Sequence, residues 1–219
     1  NVHIHGFVHD KKWKVVEQND ELNYIVTEIN SADYEEILHQ FPHDFVLRMK
    51  ISLTDKGLKQ QLFIKNLSER NMPTGIGYHT TFFFPIEQSK LSINIQEKWE
   101  LNERHLPTGT MLEVENKKEF KNGIILKGKQ VDDVYPMLDR HANILHPELG
   151  IKLYYSVSDN FKHWVIFTSS GTEDFIAIEP YSWVTNAPNL DLPDEKTGML
   201  SLKSNEEVEF HTEIKVEKL

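Results

Sequence analysis

Phe45-Val-Leu-Arg-Met-Lys-Ile-Ser-Leu53, then Thr54-Asp-Lys-Gly57, then Leu58-Lys-Gln-Gln-Leu-Phe-Ile-Lys-Asn66: two runs and the turn between them decide how this chain is built. Apolar residues stand at 45, 47, 49, 51 and 53. That is period two, the signature of a strand with one buried face. A polar turn ending in glycine and a second apolar-rich run complete a β-hairpin. Working outward, further strand-like runs occupy residues 13–17, 24–29, 80–86, 93–101, 110–114, 124–127, 151–156, 163–168, 175–178, 198–202 and 208–216. Gly, Pro, Asn and Asp punctuate them, which predicts an all-β sandwich. Only residues 32–40 read as a helix, with Ser31 and Asp33 offering caps and Tyr34, Ile37 and Leu38 spaced for one face.

The 219 residues are read as one domain, 1–219, with no repeat or linker. Hydrophobic content of 39% and charged content of 26% fit a globular protein, and no apolar run has the roughly 20 residues of a membrane helix. The net charge of -10 argues against nucleic acid as a partner, because that affinity comes from Lys and Arg meeting phosphates. The absence of cysteine removes disulfides, thiolate catalysis and Cys-based metal sites, and a cytoplasmic setting is expected.

Four short segments hold residues capable of chemistry. In Asp174-Phe-Ile-Ala-Ile-Glu179-Pro180, four apolar residues end in a carboxylate. Glu179 is expected to be partly desolvated, which raises its pKa toward that of a base. Pro180 is expected to stop the strand and hold Glu179 at a rim. On spacing alone, a solvated strand-end Glu is the better reading. Residues 186–197 follow as a long acidic loop that would wall a cleft. His79, after Met72-Pro73 and Gly75-Ile-Gly77, precedes the aromatic run Phe82-Phe-Phe84. A His among aromatics is expected to be partly buried and to suit acid–base work; alone it reads better as a core His. The Gly-x-Gly is no phosphate loop, since no helix follows and a third glycine is missing. In Val131-Asp132-Asp133-Val134-Tyr135 the adjacent carboxylates face opposite ways on a strand, so at most one enters a cleft. The plainer reading there is a solvated turn. His3 and His5 have an i, i+2 spacing that suits a metal, but no third ligand is spaced nearby, so no metal site is assigned. There is no Gly-x-Ser-x-Gly elbow, and a glycosidase using two carboxylates stays open.

Taken in order, these segments resemble the aldose 1-epimerases, the galactose mutarotase-like proteins. His5-Gly6-Phe7 with Trp13 is similar to the family's first motif. Asp55-Lys-Gly57-Leu58, Asn66-Leu-Ser68, Met72-Pro73 and Gly77-Tyr-His79 resemble its central segment. Leu106-Pro-Thr-Gly109 is similar to its turn, Asp132-Asp133-Val-Tyr135 to its Asp site, and Glu179-Pro180 with Asn186 and Asn189 to its C-terminal segment. The departures are Thr80-Thr81 in place of Pro-Tyr after His79, and His9 where the first motif often has Arg.

The resemblance implies an all-β supersandwich of antiparallel sheets with an open sugar cleft. It implies Glu179 as general base on the anomeric hydroxyl and His79 as general acid on the ring oxygen. His5 would assist at the ring oxygen, and Asp132, or alternatively Asp133, would hold sugar hydroxyls. No cofactor and no metal is implied; the partner is a monosaccharide of the glucose or galactose type. The family has an upstream segment with early strands and a sugar-binding Arg, whereas this sequence opens at the His-Gly-Phe motif. A fragment or a shortened homologue is therefore expected, with an open sheet edge that a homodimer would cover. The expected function is aldose 1-epimerization, with a hexose-6-phosphate epimerase and a non-catalytic carbohydrate-binding module as the alternatives.

Overall fold

The computed structural model describes residues 5–219, so His3 lies outside the described residues. In chain order the strands are β1 Lys14–Asn19, β2 Tyr24–Asn30, β3 Phe45–Thr54, β4 Gly57–Asn66, β5 Met72–Pro73, β6 Thr81–Phe83, β7 Lys90–Ile93, β8 Glu97–Leu101, β9 Pro107–Glu113, β10 Val131–Pro136, β11 His141–His146, β12 Ile151–Val157, β13 His163–Thr168, β14 Phe175–Tyr181, β15 Ser201–Leu202 and β16 Glu207–Lys218. The chain divides into two compact units. One holds the residues up to Thr74 with Ser201–Thr212, the other Gly75–Leu200 with Glu213–Leu219. No helix among the described residues is long and apolar enough to cross a membrane.

In the first unit, β1, β2, β3 and β4 pair antiparallel in that order, and residues 207–212 of β16 follow β4. The β3–β4 hairpin closes as its sequence predicts, from Phe45 opposite Asn66 to Thr54 opposite Gly57. Its inward face is buried only at the far end. Phe45, Leu47, Leu62 and Ile64 are in the core, whereas Leu53 beside the turn is exposed. The predicted helix is broken in two, a 3-10 turn Ser31–Asp33 and a helix Glu35–Gln40, because Tyr34 between them is extended (φ -138°, ψ 92°). The cap is Asn30, whose side chain accepts from Ala32 N–H; Ser31 instead turns inward and accepts from Phe45 N–H at 2.9 Å. Asn66, fully buried, donates to the carbonyls of Arg70, Leu202 and Lys203 and accepts from Ser68 N–H. The Asn-Leu-Ser motif is thus a staple of this unit, satisfying backbone groups that burial would otherwise leave unpaired.

In the second unit, β10, β13, β14 and β6 form a four-stranded antiparallel sheet. Directly paired residues share a face. One face carries Trp164, Ile166, Ile176, Ile178 and Phe82, all buried, with Tyr155 of β12 packed against Trp164 and Phe82. The opposite face carries Asp132, Val134, Val165, Glu179 and Tyr181. An apolar cluster of Trp99, Val134, Val165, Val184 and Ala187, with Trp183, Leu190, Leu192 and Met199 at its margin, packs on that side. The loop of residues 186–197 contributes to it through a 3-10 turn Ala187–Asn189 and a short helix Asp194–Thr197.

Several boundaries differ from the sequence expectation. The run 80–86 shrinks to β6 because Asp174 captures the next amides, its carbonyl taking Phe84 N–H and its side chain Ile86 N–H. The run 93–101 is two strands; Asn94 between them donates its side chain to Asp139. Residues 124–127 make a single bridge, Ile124 to Leu91. Strands β10 and β11 and the helix Lys117–Asn122 stand where no regular element was expected.

Candidate active site

β14 does not stop at Glu179. It runs through Pro180 to Tyr181, against the expectation of a strand end. The proline is tolerated for a geometric reason. A strand residue points its N–H and C=O to the same edge, and the Pro180 carbonyl accepts from Tyr78 N–H at 3.2 Å. The missing N–H therefore faces the irregular segment 76–80, not β13. On the same edge Ile178 N–H donates to Thr80 O at 2.9 Å. These two bonds bracket His79 and set it opposite Glu179.

His79 Nε2 lies 3.5 Å from Glu179 Oε1. The carboxylate side chain is 4% exposed and the imidazole 49%. The burial expected of the pair therefore falls on the Glu, and the His is open to solvent. Burial pushes the Glu179 pKa above its ordinary 4.5, while the His79 charge and a hydrogen bond from Tyr181 oppose the rise. Tyr181 Oη donates to the second carboxylate oxygen, Oε2, at 3.1 Å.

The two aspartates separate as alternation requires. Asp132 leaves the sheet on the Glu179 face, two strands away; its carboxylate is 46% exposed and stands 3.6 Å from His105 Nδ1. Asp133 leaves on the other face, where Lys98 Nζ donates to both its oxygens at 2.9 and 3.0 Å and Tyr135 Oη donates at 3.2 Å. Its lone pairs are thus committed within the fold, which favours Asp132 over Asp133 as the residue turned toward Glu179. The segment is a strand and not a solvated turn.

His105 went unremarked in the sequence. It sits at the tip of the β8–β9 connection with φ 56°. The Asn102 side chain organises that tip by accepting from Arg104 and Leu106 N–H at 2.9 and 3.2 Å. Asn-x-x-His before Leu-Pro-Thr-Gly is the turn signal that could have drawn attention to it. His163 of β13 was also missed. It is buried beside Trp99, with ring centroids 5.9 Å apart. Burial pushes its pKa down to about 4, although the Lys196 backbone opposes this.

His5 belongs to the first unit. It is exposed, has φ 67°, and its ring meets His9 edge-on at 6.2 Å between centroids. Phe82 and Phe84 are core residues, while Tyr181 is half-buried and Trp183 lies at the apolar cluster. Among the described residues no group of three or more His, Asp or Glu is arranged to hold a metal.

The family model described as aldose 1-epimerase matches residues 1–215. Protein LacX (chromosomal) of Lactococcus lactis subsp. lactis is 23% identical over 203 residues, covering 84% of this chain and 64% of that protein. The chain therefore spans less than two thirds of the length of this curated relative. A galactose mutarotase-like protein from Clostridium acetobutylicum matches with a TM-score of 0.91 at 27% identity, covering 99% of this chain and 69% of that one. A galactose mutarotase-like protein from Lactobacillus casei matches in fold with a TM-score of 0.81 at 17% identity, covering 99% and 76%. The sheet-rich, all-β architecture is thus of the mutarotase-like kind.

Proposed function

This chain belongs to the aldose 1-epimerase family, and from that we propose that it interconverts the α and β anomers of an unphosphorylated aldohexose. The observation that supports this most directly is the 3.5 Å approach of the His79 imidazole to the Glu179 carboxylate. In a pyranose the anomeric hydroxyl and the ring oxygen are bonded to one carbon. An acid and a base that serve both must be close neighbours. A glycosidase instead sets two carboxylates roughly 5–9.5 Å apart around the scissile bond, and the partner beside Glu179 here is an imidazole.

In the proposed reaction, ionised Glu179 takes the proton of the anomeric hydroxyl. Protonated His79 gives one to the ring oxygen. The ring opens, the aldehyde end turns about its bond to C2, and the ring closes on the other face as the two proton transfers reverse. Asp132 accepts hydrogen bonds from sugar hydroxyls. Because burial raises the Glu179 pKa, activity should fall on the acid side at a higher pH than an ordinary glutamate would give, as the base becomes protonated. An unphosphorylated sugar is preferred because none of the four arginines, Arg48, Arg70, Arg104 and Arg140, stands within a matched motif.

Polarimetry of freshly dissolved α-D-glucose and α-D-galactose tests the proposal, with glucose 6-phosphate run in parallel. Acceleration of the free sugars that Glu179→Gln abolishes is the expected result. Sugar binding without acceleration would overturn the enzymatic reading in favour of a binding module.

A further inference from the structure

Only one oxygen of Glu179 faces His79; the other is already engaged by Tyr181, at 3.1 Å. The two residues are two apart on β14, so both side chains leave the same face. The Tyr181 ring is seated by backbone. Gly77 forms an antiparallel bridge with Tyr181, and a β-carbon at Gly77 would stand 2.7 Å from ring Cδ1 and 2.8 Å from Cε1. Two residues earlier, a β-carbon at Gly75 would stand 1.9 Å from Trp183 Cε2. Gly75-Ile-Gly77, which resembles a nucleotide loop only in its letters, is thus a track on which two aromatic rings lie against bare backbone.

We propose that Tyr181 is a positioning residue for the Glu179 base, and that the glycine at 77 exists to seat it. The Tyr181 hydroxyl fixes Oε2, and that leaves Oε1, on the His79 side, as the oxygen that takes the substrate proton. The inference rests on Glu179 being the base of the proposed reaction. The charged or titratable groups around this carboxylate are His79, Tyr181 and Asp132, with His105 beyond Asp132. Burial and then the adjacent carboxylate push the Tyr181 pKa up, so the phenol stays a donor throughout the working pH range. A hydrogen bond donated to a carboxylate favours its ionised form, and holding one oxygen fixes the plane of the other.

The test is a carbon-13 NMR pH titration of the Glu179 carboxyl, assigned by its loss in Glu179→Gln, in the wild type, Tyr181→Phe and Gly77→Ala. Polarimetric pH profiles are collected on the same proteins. In Tyr181→Phe the Glu179 midpoint should move to higher pH. The acid limb of kcat/KM should move the same way, and kcat should fall about tenfold with little change in KM, as expected for losing a hydrogen bond to a charged group. Gly77→Ala, which displaces the ring while keeping the phenol, should reproduce the shift. An unmoved midpoint in a folded Tyr181→Phe protein overturns the inference, as does a moved midpoint with an unmoved acid limb. If the wild type does not accelerate mutarotation and the midpoint still moves, the contact stands and the assignment of Glu179 as base falls.

Discussion

Two acid–imidazole pairs stand in the second unit at almost the same separation: His79 with Glu179 at 3.5 Å, and His105 with Asp132 at 3.6 Å. Their carboxylates differ by an order of magnitude in exposure, 4% against 46%. Glu179 is inserted between an apolar cluster and a tyrosine hydroxyl, whereas Asp132 sits at an open rim beside a turn. In the proposed reaction Glu179 is the base and Asp132 a binding group, and on that reading burial, not distance, separates the two roles. A desolvated carboxylate gains basicity and has its direction imposed on it, while an exposed one exchanges water for sugar hydroxyls at little cost.

The sharpest way to break this contrast is to neutralise the buried member. Glu179→Gln should lower the rate of anomer interconversion by roughly 10²–10⁴-fold with the fold intact, read by polarimetry and circular dichroism. The next effect isolates burial without any carboxylate. His163 is 1% exposed, and its pKa in the fold is about 4 against the ordinary 6.5. The unfolded chain therefore binds a proton that the folded one refuses between those values. Stability should be full above pH 6.5 and decline as the pH falls toward 4, by about 3 kcal/mol. Urea melts across that window in the wild type and His163→Phe measure it; the variant should lose this slope. Third, Asp132→Asn should cost about tenfold in kcat/KM, carried mainly by KM, since a binding contact is weakened rather than a proton acceptor removed. The smallest change expected is His105→Ala, about twofold to threefold in KM, consistent with the modest worth of exposed ion pairs. A His105 effect as large as that of Glu179 would collapse the distinction between the two pairs.

The strands with strict alternation were legible in the sequence. The 45–66 hairpin was placed almost residue for residue because one face is apolar and the other is not. β10 and β11 were hidden because polar residues that tertiary partners satisfy interrupt the pattern. Asp133 meets Lys98 and Tyr135, and buried His146 meets the equally buried Ser89 at 2.9 Å. At the site, Glu179 was visible through the apolar run before it. The role of Tyr181 was lost at the same moment, since ending the strand at Pro180 removed the alternation that puts 179 and 181 on one face. Which proline edge faces an unpaired segment is a property of the neighbours, not of the proline. Likewise the choice between Asp132 and Asp133 depended on Lys98, which lies 35 residues earlier in the chain.

The first unit is assembled from residues up to Thr74 and from Ser201–Thr212. That division has a consequence for the order of events during synthesis. β4 pairs on one edge with β3 as soon as the hairpin is made, but its other edge waits for β16. Contacts such as Gln61 with Glu209 span 148 residues of chain. At ribosomal speeds of roughly 5–20 residues per second the wait is on the order of ten seconds. Throughout it a ten-residue strand offers unpaired backbone to any other nascent chain. Production of this protein should accordingly be limited less by the stability of the finished fold than by how well that edge is shielded while the ribosome completes the second unit.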